Sequence, residues 1–585
     1  SITLRQEAVT VNKDQRTPVV EARTPRRWRR LPLALTLGAL LGALVSGGLW
    51  MTPETNFLYQ ASPGSGEPLS AAHALPPIGS AIPIILQNAI QKENALPGSN
   101  GWTIPDSQVA TTQIQGYVGA ESVAPAQTLT FYVSTQIPND PYTVAIYRLG
   151  WYHGAGGRLM TTLSESGQAQ GYYDWNTTKL TGCASCRMDP WTHLLDASWQ
   201  PSFRLTIPAN WTTGLYLVKL TTSANMQAYT HFTVTGDAHA TYVAEIPDNT
   251  VEAYNDWGGY SLYHGPDQRL ATRAFKVSLN RPSQGRQFGA GAGISSVMDA
   301  IRWMERTGYD LSYVSSVDIN DHPALLLTHR AFLSLGHDEY WSLAMRNGVE
   351  RARDAGIGLA FFGANAAYWN VRFEPDHAGV PDRTIVCYKS AVLDPLYGVN
   401  NANVTVEWRQ APLNRPENAL VGVMYADWTY PPMGWKWTMA SAAASPLLAG
   451  TGLRPGVSYG CNLVGYEFDH VYYNGDTPPG LHVLGDSFAL GIDAGANHSQ
   501  TTYYVARSGA LVFASGSIYW AYALDGLKFW DVPRLPPGFM PCLSTAASAP
   551  VPGIQRLMAN VMAELVINQN TAHAPRHVRW RPISA

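Results

Sequence analysis

The sequence predicts an α/β plus all-β protein: a β-sandwich followed by an α/β domain, both behind an N-terminal transmembrane helix. Three observations carry this. Short segments of alternating polarity run from about Thr111 to Thr235, strand and helix signals alternate after Ala240, and an uncharged apolar run occupies Leu31–Trp50.

The apolar run comes first in the chain. It is 20 residues long and follows Arg26, Arg27, Arg29 and Arg30. That length spans a bilayer, and positive charge before a span holds the N-terminus inside and the remainder of the chain outside. Residues 1–30 then read as a basic cytoplasmic tail and 31–51 as an uncleaved anchor, or as a cleaved signal that would leave the chain secreted. Residues 52–105, with "ASPGSGEP" and "HALPPIGSAIP", read as a Pro/Ala/Gly-rich tether.

Residues 106–237 contain "TLTFYVST", "YTVAIYRLGWY", "SFRLTIP", "GLYLVKLTT" and "YTHFTVTG". A two-residue period bounded by Gly, Pro, Asn and Asp predicts antiparallel strands, here an immunoglobulin-like sandwich. Across 238–575 the pattern changes. "TYVAEIP", "LSYVSSVD", "RAFLSLG" and "GIGLAFFGANAAYW" read as strands, separated by helical stretches such as "SSVMDAIRWMERTG", with Val297, Ile301 and Met304 on one face. This predicts a largely parallel sheet. Val404 to Leu524 turns Trp- and Gly-rich with few helical signals, and residues 576–585 form a tail.

Composition excludes some functions. With 45% hydrophobic residues, 19 Trp and a formal net charge of -3, the chain has no electrostatic bias toward nucleic acid. Cys183 and Cys186 in "CASC" have no second pair to complete a zinc site and read as a small loop disulfide, while an odd total of 5 cysteines leaves one thiol unpaired.

In an open parallel sheet ligands bind beyond the carboxyl ends of the strands. "LGHDEYWS" lies there: Gly336 makes the turn, His337 and Glu339 can face one cavity, and Asp338 can cap the following helix. Alternatively all three are capping and surface residues. "TVEAYNDWGGYSLYHG" brings Tyr254, Asn255, Tyr260 and Tyr263 to the end of the first strand, to pack or to bind. "NLVGYEFDH" offers Glu467, and "FFGANAAYWNVRFE" offers Asn365 and Arg372 as substrate contacts or loop hydrogen-bonders. No G-x-S-x-G, H-E-x-x-H or P-loop occurs, and Cys461 in "YGCNLVG" lacks a nucleophile-elbow context.

Taken together, "IYRLGWYHGAGGRL", "AYNDWGGYSLY", "FKVSLNRP", "LGHDEYWS", "FFGANAAYWNVRFE" and "QRLMANVMAEL" resemble the N,N-dimethylformamidase large-subunit family. The resemblance implies an immunoglobulin-like domain followed by a class I glutamine-amidotransferase-like α/β domain. It also implies hydrolysis of the C–N bond of a small amide by a mononuclear iron, Fe(III), held by two tyrosines and a glutamate. Carried over, Glu339, Tyr254 and Tyr216 are the metal ligands, with Tyr260 and Tyr263 as rivals to Tyr216. His337 and Glu467 assist as base and acid, and Asn255 and Asn365 are substrate contacts. The resemblance implies a small amide as partner; the apolar run at 31–51, by which this chain departs from the family, adds the membrane, and a second copy in a homo-oligomer is the remaining partner considered; the competing function is a non-catalytic envelope protein binding glycan or protein.

Overall fold

Alternating burial closes the first part of the chain into two facing sheets. Along Thr128–Thr135 every second side chain at the start of the strand is buried, as a half-covered strand requires. This strand lies between Ile114–Val118 and Phe203–Thr206; opposite, Gln227–Val234, Gly214–Thr222, Pro141–Leu149 and Gly157–Ser166 follow Ser122–Val123 in a 5-stranded sheet. Phe131, Val133, Ile146, Val218 and Phe232 fill the space between. The protein is described here from a computed structural model over residues 87–283, 289–291, 294–429, 434–526 and 549–567.

Seven strands make the second sheet: β1 (Tyr242–Ile246), β2 (Leu311–Ser315), β3 (Ala331–His337), β4 (Gly358–Ala364), β5 (His482–Leu490), β6 (Ala496–Val505) and β7 (Leu511–Ala514). Their order is β2-β1-β3-β4-β7-β6-β5. The first five in that order are parallel, and β6 and β5 complete the sheet antiparallel. Every residue of β3 and β4 is buried, as expected of central strands covered on both faces. Helices α1 (Ile294–Thr307) and α3 (Pro552–Leu565) contribute Val297, Ile301, Leu557 and Val561 to one core, and α2 (Leu343–Asp354) contributes Met345 and Val349 to the other.

This corrects the predicted fold class. The described chain is mostly β-sheet, and α1, α2 and α3 are its only α-helices of eight residues or more among the described residues. The regular strand–helix alternation of a class I glutamine-amidotransferase-like domain stops after β4. The Trp- and Gly-rich stretch has no helical apolar period and forms two-stranded sheets instead, Met424–Trp428 with Glu467–His470 and Trp435–Thr438 with Ser458–Val464.

The membrane assignment is corrected as well. Among the described residues no helix is long and apolar enough to cross a membrane, and the expected span at 31–51 lies outside them, as do the basic tail and most of the tether. Tyr147, Leu215 and Tyr229 of the sandwich pack in one cluster with Val297 and Met298 of α1, across a seam near residue 237. Across that seam Arg148 pairs with Glu305 at 2.7 Å, both side chains fully buried.

Candidate functional site

Four chain segments meet beyond the carboxyl ends of β1, β3 and β4. At β3 and β4 the backbones approach closely: a Cβ on Gly363 would stand 1.6 Å from the Gly336 carbonyl oxygen. Gly336 itself has φ +64°, a conformation that favours glycine. The chain therefore turns sharply at this point and puts His337, Asp338 and Glu339 at the strand end.

The three side chains diverge. Asp338 turns inward, accepts from Ser334 Oγ at 2.7 Å and lies against Glu245, with burial raising its carboxyl to about 6. It does not cap α2; Ser342 does, accepting from the Met345 amide. The reason is a short strand, Tyr340–Ser342, paired with Trp369–Val371, which delays the helix start.

Glu339 points the other way, 2% exposed. Its amide donates to Thr250 Oγ1 at 2.9 Å, tying the turn to the short helix Asp248–Ala253 that follows β1. Tyr254 at the end of that helix donates to Glu339 Oε2 at 2.9 Å, and Tyr263 donates to Oε1 at 2.6 Å. The two phenols are themselves 2.9 Å apart and their rings stack. Burial, then the Glu339 charge, pushes both phenols well above their usual range. Burial raises Glu339 too, against the pull of His337.

His337 Nε2 lies 3.0 Å from Glu467 Oε2 and 3.3 Å from Glu339 Oε2, close in distance but out of line for a hydrogen bond. Burial pulls the imidazole down; the Glu467 and Glu339 carboxylates outweigh it and raise it to about 9. Its other nitrogen, Nδ1, lies 2.9 Å from the Tyr466 hydroxyl. Glu467 is held by Asn365 Nδ2 at 2.9 Å, and Asn365, φ +56°, is fixed by its amide on Asp469 Oδ1 at 2.8 Å. Asn365 Oδ1 is buried with no hydrogen-bond partner among the described residues.

The fold thus brings together Tyr254, His337, Glu339, Glu467 and Asn365 of the expected set. Two others lie elsewhere. Tyr216 is buried in the sandwich, stacked on Trp211 and Phe232 and donating to the Thr212 carbonyl, because its strand faces the inter-sheet core. Asn255 bonds Glu252, the Pro282 carbonyl and the Trp257 amide, so it shapes the loop. Tyr260 stacks on His193, and Arg372 pairs with Asp394 at 2.8 Å. Tyr263, expected as a rival to Tyr216, is the second tyrosine that donates to Glu339; its presence nine residues after Tyr254 in one aromatic loop is the available signal. Tyr466 is missed by sequence reasoning, its one signal being adjacency to Glu467.

Metal binding needs a correction of its own. Among the described residues no group of three or more His, Cys, Asp or Glu side chains is disposed to hold a metal ion, so a metal-binding protein is not supported by ligands of those kinds. What converges on Glu339 is a pair of phenols.

The family described as N,N-dimethylformamidase beta subunit-like, C-terminal, matches residues 143–533, two thirds of the 585-residue chain. The chain belongs to this family. A curated relative, the N,N-dimethylformamidase beta subunit of Alcaligenes sp., is 24% identical over 230 residues, covering 32% of this chain and 30% of that protein. The match therefore spans less than a third of the relative's length. Among solved structures, a superoxide reductase (neelaredoxin) from Ignicoccus hospitalis covers 22% of this chain and 85% of its own at 10% identity and TM-score 0.13. A Paenibacillus cycloisomaltooligosaccharide glucanotransferase covers 69% and 68% at 8% identity and TM-score 0.15. Neither score supports a shared fold. The curated relative is, by its name, one subunit of an enzyme.

The described disulfide is Cys183–Cys186, the small loop bridge expected; Cys387 is a buried thiol, and Cys461 is half-buried.

Proposed function

We propose that the chain is an amide hydrolase in which Tyr254, Tyr263 and Glu339 hold one iron ion, His337 is the base and Glu467 the acid. The observation that carries the reading is the placement of two tyrosine hydroxyls on the two oxygens of one buried carboxylate, 3.3 Å from an imidazole nitrogen that lacks an aligned partner. Three hard oxygen donors suit Fe(III) better than zinc, which draws His and Cys. Such an ion, when bound, supplies Lewis acidity that polarises a carbonyl and acidifies water.

The protein's own residues then have defined tasks. His337 accepts a proton at Nε2 from the water that attacks the amide carbon. The Glu339 charge is one of two that hold the imidazole proton, so engaging Glu339 as a ligand loosens it. Glu467, 3.0 Å from that nitrogen, passes the proton that His337 has taken up to the departing amine nitrogen, completing cleavage to a carboxylic acid and an amine. Asn365 orients Glu467 through Nδ2 and offers Oδ1 to a bound substrate or water. The near-complete burial of His337 and Glu339 favours a small amide.

Purified protein given ferric or ferrous iron is the test, read by metal content, visible spectrum and release of dimethylamine from N,N-dimethylformamide or of ammonia from formamide. Stoichiometric iron with a tyrosinate charge-transfer band and amine release is expected. Folded, colourless protein that binds no iron and cleaves neither amide would sink the proposal and leave a non-catalytic binding protein.

A further inference from the structure

Asn365 uses one half of its side-chain amide and leaves the other half unpaired. Its Nδ2 donates to Glu467 Oε2 at 2.9 Å, and its backbone amide donates to Asp469 Oδ1 at 2.8 Å. A carboxylate oxygen accepts and does not donate, so Nδ2 is the atom that faces Glu467 and Oδ1 is the one left over. The residue is 4% exposed, and Oδ1 has no hydrogen-bond partner among the described residues. A buried acceptor in that condition costs free energy, which a ligand donating to it recovers. The side chain has little freedom to turn elsewhere, because Asn365 follows β4 directly at φ +56° and is tied at both its backbone amide and Nδ2. Glu467 Oε2 is in turn 3.0 Å from His337 Nε2, so the carboxylate that Asn365 holds is the one that hands a proton to the leaving nitrogen. A side-chain amide is planar, which keeps Oδ1 next to Nδ2 and within reach of that same nitrogen.

We infer that Asn365 Oδ1 accepts a hydrogen bond from the N–H of the scissile amide, which makes primary and N-monosubstituted amides the substrate class of this site. The inference rests on the amide-hydrolase reading, with Glu467 as the acid. As water adds to the carbonyl carbon and the C–N bond breaks, the nitrogen takes its new proton from Glu467 and leaves as an amine. The N–H held by Oδ1 is a different hydrogen, present from the start and kept throughout. Oδ1 cannot serve the substrate carbonyl, since both oxygens are acceptors. An N,N-disubstituted amide brings a carbon to Oδ1 in place of the hydrogen and leaves the oxygen unpaired. A site that binds a substrate N–H discriminates against the analogue lacking it far more than against a change of one methylene, because its own polar group then goes unsatisfied. N,N-dimethylformamide is accordingly cleaved, but as the poorer substrate. Were Oδ1 to hold the attacking water instead, it would serve all amides alike.

The experiment compares N-methylformamide with N,N-dimethylformamide, which differ by a methyl in place of the N–H, on the full iron-loaded chain. In the unmodified protein kcat/KM should be about 10- to 100-fold higher for N-methylformamide. Asn365→Gly suits the positive φ and removes the side-chain amide; it should slow both reactions and lower that ratio by about 10-fold or more. Asn365→Ala is the second variant. Equal kcat/KM values in the unmodified protein overturn the inference, and so does a preference that survives in both variants, which would assign the selectivity to crowding by the second methyl. Protein that neither binds iron nor cleaves either amide defeats the hydrolase reading, and ligand-detected NMR of the two amides with iron-free protein then decides Asn365 by itself. Tighter binding of N-methylformamide that is lost in Asn365→Gly supports the acceptor role; equal binding, or no binding of either amide, overturns it.

Discussion

Tyr254 and Tyr263 stack with ring centroids 4.4 Å apart, and each hydroxyl donates to a different oxygen of Glu339. The pair is held from outside by Lys389, whose ammonium stands 3.5 Å from the centre of the Tyr263 ring. Two phenols and one carboxylate are thereby fixed as a unit before any ligand arrives.

Removing one phenol should therefore abolish tight iron binding, whereas removing the tyrosine in the sandwich should not. Tyr263→Phe is expected to lose the charge-transfer band and most of the bound iron. Tyr216→Phe keeps both and costs about 1 kcal/mol of stability through its lost hydrogen bond. Metal content per chain, measured beside thermal unfolding, separates the two, and iron lost in Tyr216→Phe but kept in Tyr263→Phe would reverse the assignment.

Glu467→Gln keeps the shape of the acid and removes its proton transfer. The kcat for amide release should fall by about 10²- to 10⁴-fold while the iron and its colour stay. Asn365→Ala, which frees Glu467 from its 2.9 Å partner, should give a smaller loss. Steady-state kinetics on N,N-dimethylformamide check both, and an unimpaired Glu467→Gln would exclude it as the acid.

The Arg148–Glu305 pair joins the sandwich to α1 with both side chains fully buried. Glu305 also accepts from Asn94 at 2.8 Å and from Tyr313 at 3.1 Å. Glu305→Leu leaves the guanidinium buried without its charge partner and should destabilise the protein by about 3–5 kcal/mol. Denaturant unfolding monitored by tryptophan fluorescence measures this; a loss below about 1 kcal/mol would mean that water reaches the pair.

Asp469 gives a pH dependence of stability. Burial first, then the charge of Glu467, raises its carboxyl from 3.8 to about 7. A group raised on folding contributes fully below its unfolded value, and the contribution is lost as pH rises through the folded one. Stability should therefore decline between about pH 4 and pH 7, by up to about 4 kcal/mol for this group. Asp469→Asn should flatten that part of the curve, and an unchanged slope would show that Asp469 is ionised throughout.

The sequence is legible where chemistry follows from local order. A strand, a glycine and the His-Asp-Glu run place His337 and Glu339 at the carboxyl end of a strand, and the same logic reaches Tyr254, Glu467 and Asn365. It fails where a side chain's direction depends on distant segments. Asp338 reads as a helix cap because acids favour helix starts, yet the Tyr340–Ser342 strand pairs with Trp369–Val371 and moves the start of α2 onward. The fold class fails for a related reason. Strand signals before β4 are followed by helices often enough to suggest regular alternation, while the later Trp- and Gly-rich stretch finds antiparallel partners that local periodicity does not encode.

By itself, then, the sequence determined which residue types stand at the strand ends, the absence of the common nucleophile motifs, and the family resemblance. Tertiary structure alone decided that Tyr263, not Tyr216, faces Glu339, and that Tyr466 reaches His337 from 129 residues away. The physical reason is that polarity and spacing fix which face of a local element is buried. Which buried polar groups then meet is set by the register of strands far apart in the chain, and by the need of each hydroxyl and carboxylate to find a partner there.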